Sequence, residues 1–216
     1  MRDIDVDIRR SARRKKTIAL QVRDGKVRVS APMHTPQSEI VAFLERQRGW
    51  VLRQLARSKP QENLLDLPDS LWVAGQEYRL IRAEVVAPEI QEATLRVPET
   101  TQDMNSLRPW LMQQAQDYLP RRLEYWARQM GLRFRGVEVK HYRSRYGCCT
   151  REGIIKLHWG LIMAPAAALD YVLIHELSHL VHFHHQPPFW ALVSQYSPQW
   201  RRMRAWFKAN GQRLVF

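Results

Sequence analysis

An α+β fold is what this 216-residue sequence predicts. The expected layout is a β-rich region with one helix over residues 1–105, followed by a compact domain over residues 106–216. Three observations point there. Short stretches of alternating apolar residues read as strands, and longer stretches with helical spacing of apolar residues read as helices. The charge also divides the chain: residues 1–60 hold 15 basic and 6 acidic groups, 61–105 hold 3 and 9, and 106–216 hold 16 and 6. With 45% hydrophobic and 25% charged residues the composition is that of a globular protein, which excludes a chain disordered throughout.

The elements follow in order. Ile4, Val6 and Ile8 alternate with charged residues, as do Ile18, Leu20 and Val22, and Asp24-Gly25 turns the chain into Val27 and Val29. An Asp-Gly step between alternating runs marks a hairpin. Thr35-Pro36 reads as an N-cap followed by proline at the first helical position. A single amphipathic helix should follow, burying Ile40, Phe43, Leu44, Trp50, Val51 and Leu55 and ending near Lys59-Pro60. Short strands are expected at Leu71–Val73, Tyr78–Ile81 and Thr94–Val97. A second helix is expected from about Leu107 to Met130, with Pro120 kinking or splitting it and Gly131 closing it. Strands at Val137–Tyr142 and Ile154–His158 flank a loop, and Pro165 opens a third helix.

The chemistry concentrates in that third helix. Five of the eight histidines lie between His175 and His185, and His175-Glu176-Leu177-Ser178-His179 has the form H-E-x-x-H. Chance would supply that motif in roughly one or two of a hundred chains of this composition. Helical residues four apart stand about 40° apart in azimuth and one turn apart in rise, so two imidazoles at that spacing can share one metal ion. Glu176 projects beside the ion, where it can take a proton from a metal-bound water and pass it to a leaving group. The flanks Val172–Ile174 and Leu180-Val181 are apolar.

No Asp or Glu follows Glu176, so a downstream carboxylate ligand is excluded. His182, His184, His185 and the upstream Asp170 remain as candidates for the third ligand. His182 would sit about 10 Å further along the helix axis than His175, too far for one ion unless the helix ends. Gln186-Pro187-Pro188 stops the helix and lets the chain fold back. His185 is therefore favoured. His182 and His184 are expected as solvated or supporting imidazoles, and Asp170 as a cap or a solvent-facing group. Three histidines leave a fourth position for water, which marks a catalytic rather than a structural metal site.

Arg143, Arg145 and Tyr146, ahead of Gly147, are candidates for gripping a substrate carboxylate, a phosphate or a developing oxyanion. Cys148 and Cys149 are neighbours, so they form no disulfide framework, and they are expected as small buried groups. The two thiols and the charged N-terminus predict a reducing, cytoplasmic location, and no apolar run is long enough to span a bilayer. The net charge of +13, with Arg9, Arg10, Arg13, Arg14, Lys15 and Lys16 close together, allows a polyanion contact with nucleic acid or nucleotide. Phe189, Trp190, Trp200, Trp206 and Phe207 recur at helical spacing and read as core, with Arg201, Arg202 and Arg204 outside the last helix.

The stretches Arg143–Thr150, Ile155–Trp159 and Leu169–His179, then His185 followed by Phe189-Trp190, resemble the YgjP-like (DUF45) metallopeptidases, grouped with the SprT-like and WLM zinc peptidases. Arg13–Pro32 resembles the start of that family. The resemblance implies a zincin-like metallopeptidase domain behind an N-terminal β-rich region. It also implies one zinc ion on His175, His179 and His185, with Glu176 catalytic. The function expected from the sequence is a zinc-dependent hydrolase acting on peptides or unfolded proteins. Two rivals stand beside it: a metal-dependent nucleotide (phosphoanhydride) hydrolase, and a nucleic-acid-associated binding protein with an auxiliary metal.

Overall fold

In the computed structural model, residues 6–12, 14, 17–23, 26–57, 66–142 and 145–214 are described. The fold is α+β, with three small sheets and six α-helices among these residues. The chain forms two compact units, Met1–Asn63 and Leu64–Phe216.

In the first unit, β1 (Val6–Ser11), β2 (Ala19–Arg23) and β3 (Lys26–Pro32) form a sheet in the order β1-β3-β2, with β1 parallel and β2 antiparallel to β3. Arg23 pairs with Lys26, the register of a two-residue connection, although Asp24 and Gly25 lie outside the described residues. The period-2 pattern is visible in β3: Val27, Val29 and Ala31 are fully buried, and Lys26 and Arg28 face out. Their partners in the core are Ile40, Leu44 and Val51 from two helices, α1 (Gln37–Arg46) and α2 (Arg48–Arg57). The single helix expected from the sequence is thus divided. At Gln47 the backbone leaves helical geometry (φ −95°, ψ 3°), which re-aims the second half and leaves Trp50 exposed. Pro36, rather than Thr35, holds the N-cap position; the Thr35 carbonyl instead accepts from Arg10. Of the basic run, Arg9 pairs with Asp7, and Arg13, Lys15 and Lys16 lie outside the described residues.

The second unit begins with a sheet of β4 (Ser70–Val73), β5 (Gln76–Ala83), β6 (Glu89–Gln91) and β7 (Thr94–Pro98) in the order β4-β5-β7-β6. The boundary expected near residue 105 therefore falls some 40 residues earlier. The physical reason is burial. Leu71, Val73, Leu95 and Val97 share one core with the helices that follow, despite the acidic surface of this stretch. The β4–β5 turn locks the arrangement: Ala74 N–H donates to the Ile162 carbonyl at 2.9 Å, and Gly75 (φ +85°) is so close to Ala166 that a Cβ would stand 2.8 Å from its methyl.

Helix α3 (Met104–Gln129) starts on Asp103, whose carboxylate accepts from Ser106 N–H at 2.9 Å. It runs unbroken through both Pro109 and Pro120. The expected split at Pro120 does not occur. Leu107, Leu111, Ala115, Leu119, Leu123 and Ala127 form one continuous buried stripe, whose packing outweighs the lost backbone bond. The third sheet, in the order β8-β10-β9, comprises β8 (Gly136–Lys140), β9 (Gly147–Cys149) and β10 (Ile154–His158). A 3-10 turn of helix at Trp159–Met163 leads into α4 (Ala166–Ser178), then α5 (Pro187–Tyr196) and α6 (Trp200–Asn210). Among the described residues, no helix is long and apolar enough to cross a membrane.

Candidate metal centre

Helix α4 is buried on almost every side, with Leu169, Leu173, Ile174 and Leu177 all at 1% exposure or less. Asp170 is neither a ligand nor a solvent-facing group. It accepts from Arg122 Nε and Nη2 at 2.8 and 2.7 Å and so ties α4 to α3. The helix ends at Ser178, and Leu180 and Val181 close tight turns onto Leu177 and Ser178. This early end removes the geometric obstacle to a third histidine. The chain reverses, Pro187-Pro188 open α5, and Trp190 Nε1 donates to the His185 carbonyl at 3.1 Å.

The three histidines then converge. His175, His179 and His185 each offer a ring nitrogen, and these atoms lie within 4.8 Å of one another. Nε2 of His175 and Nε2 of His185 are 3.1 Å apart. Two ligands on a tetrahedral zinc ion, with bonds of about 2.05 Å, stand about 3.3 Å apart, so the spacing fits such an ion. His179 Nδ1 pairs with the His182 carbonyl at 3.0 Å, which leaves Nε2 free to ligate. The rings rest on Phe189, which is fully buried, with centroids 4.6–4.9 Å from its own. Burial holds the His175 pKa down at about 3, helped by the neighbouring imidazoles, so its ring is neutral and its lone pair available. His182 contributes its carbonyl rather than its ring, and His184 is exposed.

Glu176 is buried, 5% exposed. Burial pushes its carboxyl up to about 8, against the pull of the Arg145 charge and a hydrogen bond from the Cys149 backbone N–H. How it is held depends on a contact distant in sequence. The stretch read as a loop contains β9, and β9 packs on α4. A Cβ on Gly147 would stand 2.8 Å from Glu176 Cγ and Oε1, so only glycine leaves room for the carboxyl there. Arg145 is thus brought to the centre as a nearby charge, whereas Arg143 lies outside the described residues. Tyr146 turns elsewhere: its ring packs on Phe207 with 4.6 Å between centroids, and its hydroxyl lies against Gly211. Cys148 and Cys149 are half-buried free thiols, and burial raises Cys149 to about 11. Neither belongs to the three-histidine cluster.

Residues 16–210 match the YgjP-like metallopeptidase domain. The chain belongs to the YgjP-like family. Among solved structures, the metallopeptidase zymogen of Pyrococcus abyssi abylysin is similar, at 21% identity over 44% of this chain and 95% of that one, with a TM-score of 0.41. No curated protein matches the chain significantly. Membership makes this a metallopeptidase at the level of the family, and the donor set of three imidazoles beside a buried carboxylate suits that chemistry.

Proposed function

We propose that this YgjP-like protein is a zinc-dependent peptidase in which His175, His179 and His185 hold one zinc ion and Glu176 is the general base. The observation that carries the reading is the convergence of three ring nitrogens within 4.8 Å beside a buried glutamate. When bound, the ion would polarise the scissile carbonyl and lower the pKa of a water molecule towards neutrality. Glu176, its carboxyl raised by burial, accepts a proton from the attacking water and hands it to the leaving amine. The Cys149 N–H fixes the direction in which the carboxylate points, and Arg145 supplies a positive charge for an oxyanion or a substrate carboxylate.

The substrate is an extended peptide or unfolded protein. Strand β9 pairs with β10 on one side and, among the described residues, with no strand on the other, an edge that suits a peptide added as a further strand beside Glu176. Two adjacent free thiols suit a reducing compartment, and we place the activity in the cytoplasm. The basic surface is the proposed contact for a polyanion such as nucleic acid.

The test is hydrolysis of a fluorescently labelled unfolded protein by zinc-loaded wild type and Glu176→Gln. The variant is expected to keep its zinc and lose about 10³-fold in kcat, within the range for a general base. Equal turnover by the two proteins would remove Glu176 from the mechanism. Hydrolysis of nucleoside triphosphates, but of no peptide, would favour the phosphoanhydride reading instead.

A further inference from the structure

A groove of about 410 Å³ adjoins the metal centre, lined by Pro187, Trp190, Ala191, Ser194, Trp200 and Arg201. Trp190 belongs to both. Its ring centroid lies 5.7 Å from that of His185 and 5.9 Å from that of His175, and its Nε1 donates to the His185 carbonyl. Trp200 stacks on Trp190, 4.2 Å between centroids and 18° between planes. Two guanidinium groups sit on this indole pair: Arg201 lies 4.4 Å from the Trp200 ring centroid, and Arg204 lies 5.8 Å from that of Trp190. Both arginines are exposed and stand three residues apart on α6, on neighbouring turns of one face. Arg204 is thus one ring removed from His175, since the Trp190 ring lies between them.

Residues 177–216 contain no Asp or Glu, and among the described residues neither arginine forms an ion pair. Such a patch draws an anion. A nucleobase is a poor occupant, because Trp200 has Trp190 on one face and Arg201 within 4.4 Å on the other, which leaves no indole face for stacking. What the groove offers is apolar wall and positive charge. An extended peptide advances about 3.3–3.6 Å per residue, so a chain crossing the metal centre reaches this groove within a few residues.

We infer that the groove is a substrate subsite selecting an acidic side chain about two to four residues from the cleaved bond. Arg201 and Arg204 bind the carboxylate, and Trp190 and Trp200 cover the apolar stems beside it. The inference rests on the peptidase reading and deepens it.

The test has two readouts. A mixture of unstructured peptides is digested with zinc-loaded protein, and the cleavage products are sequenced by mass spectrometry. Wild type is expected to favour Asp and Glu on one side of the cut. Arg201→Glu should lower that preference about fivefold, the size of one well-placed exposed ion pair. Arg128→Glu, a reversal in the exposed α3 pair with Glu124 that does not line the groove, should leave the preference where it was. Separately, a fluorescein-labelled acidic peptide is titrated into the Glu176→Gln protein, where binding should weaken with added salt and with Arg201→Glu. Cleavage with no acidic preference, or a preference that Arg201→Glu does not move, overturns the subsite and leaves the peptidase standing. So does a preference that vanishes when the peptides are amidated at the C-terminus, since it then belongs to a chain end. Displacement of the labelled peptide by ATP as effective as by unlabelled peptide overturns it in favour of a nucleotide. Binding of the acidic peptide as expected, without cleavage by wild type, overturns the peptidase reading and the substrate subsite with it, leaving a site that only binds acidic peptide.

Discussion

His175 and His179 enter the three-histidine cluster from a helix inside the core, whereas His185 enters it from an exposed turn. The difference is one of preorganisation. Folding of the second unit fixes the first two rings, because α4 is packed on nearly every side and pinned to α3 by the Arg122–Asp170 pair. The third ring depends on a short reversal held at its end by Trp190 and the start of α5. The buried side therefore sets geometry, and the exposed side is where metal affinity can be gained or lost by small changes.

Changes on the buried side should have the largest effect. Gly147→Ala puts a methyl group 2.8 Å from the Glu176 carboxyl, so the base must move. Steady-state kinetics should show kcat falling by about 10²-fold, the low end for losing a general base, while zinc content is kept. Unchanged kcat would mean that β9 does not hold the carboxyl. On the exposed side, Trp190→Phe removes the hydrogen bond to the His185 carbonyl. Zinc affinity, measured against a competing chelator, should drop about tenfold, as for other groups that support a ligand. An unaltered affinity would show that the turn holds without Trp190.

Smaller effects fall on stability. Arg122→Ala strips Asp170 of its bidentate partner and should cost about 1–2 kcal/mol by denaturant titration, since the pair is only partly buried. Burial holds His158 at about 4 and His175 at about 3, both below the ordinary 6.5. Between those values the unfolded chain binds protons that the folded one refuses. Metal-free protein should therefore lose stability as pH falls from 6.5 towards 4, and stay flat above 6.5 as far as these groups are concerned. A melting temperature independent of pH over that window would contradict the buried, neutral state of both rings.

Much of this site was legible because it is written locally. The spacing of His175, Glu176 and His179 needs only a helix, and the prolines after His185 announce its end. The strands at 71–73, 94–98 and 154–158 were likewise carried by local alternation. What was not legible depends on contacts distant in sequence. Gly147 looks like any turn glycine until β9 is laid across Glu176, and Asp170 has no partner until α3 passes beside α4. Pro120 misled for the same reason, since the stripe from Leu107 to Ala127 keeps the helix whole by packing against residues far along the chain. The charge pattern misplaced the boundary between the units because surface charge reports on solvent, while Leu95 and Val97 report on the core.

The measurement closest to the central claim is calorimetric titration of zinc into metal-free wild type and His185→Ala. One ion per chain should bind to wild type, and affinity should fall by more than about 100-fold in the variant, beyond the loss of any supporting group. Equal stoichiometry and affinity in the two proteins would mean that the exposed imidazole is not a ligand.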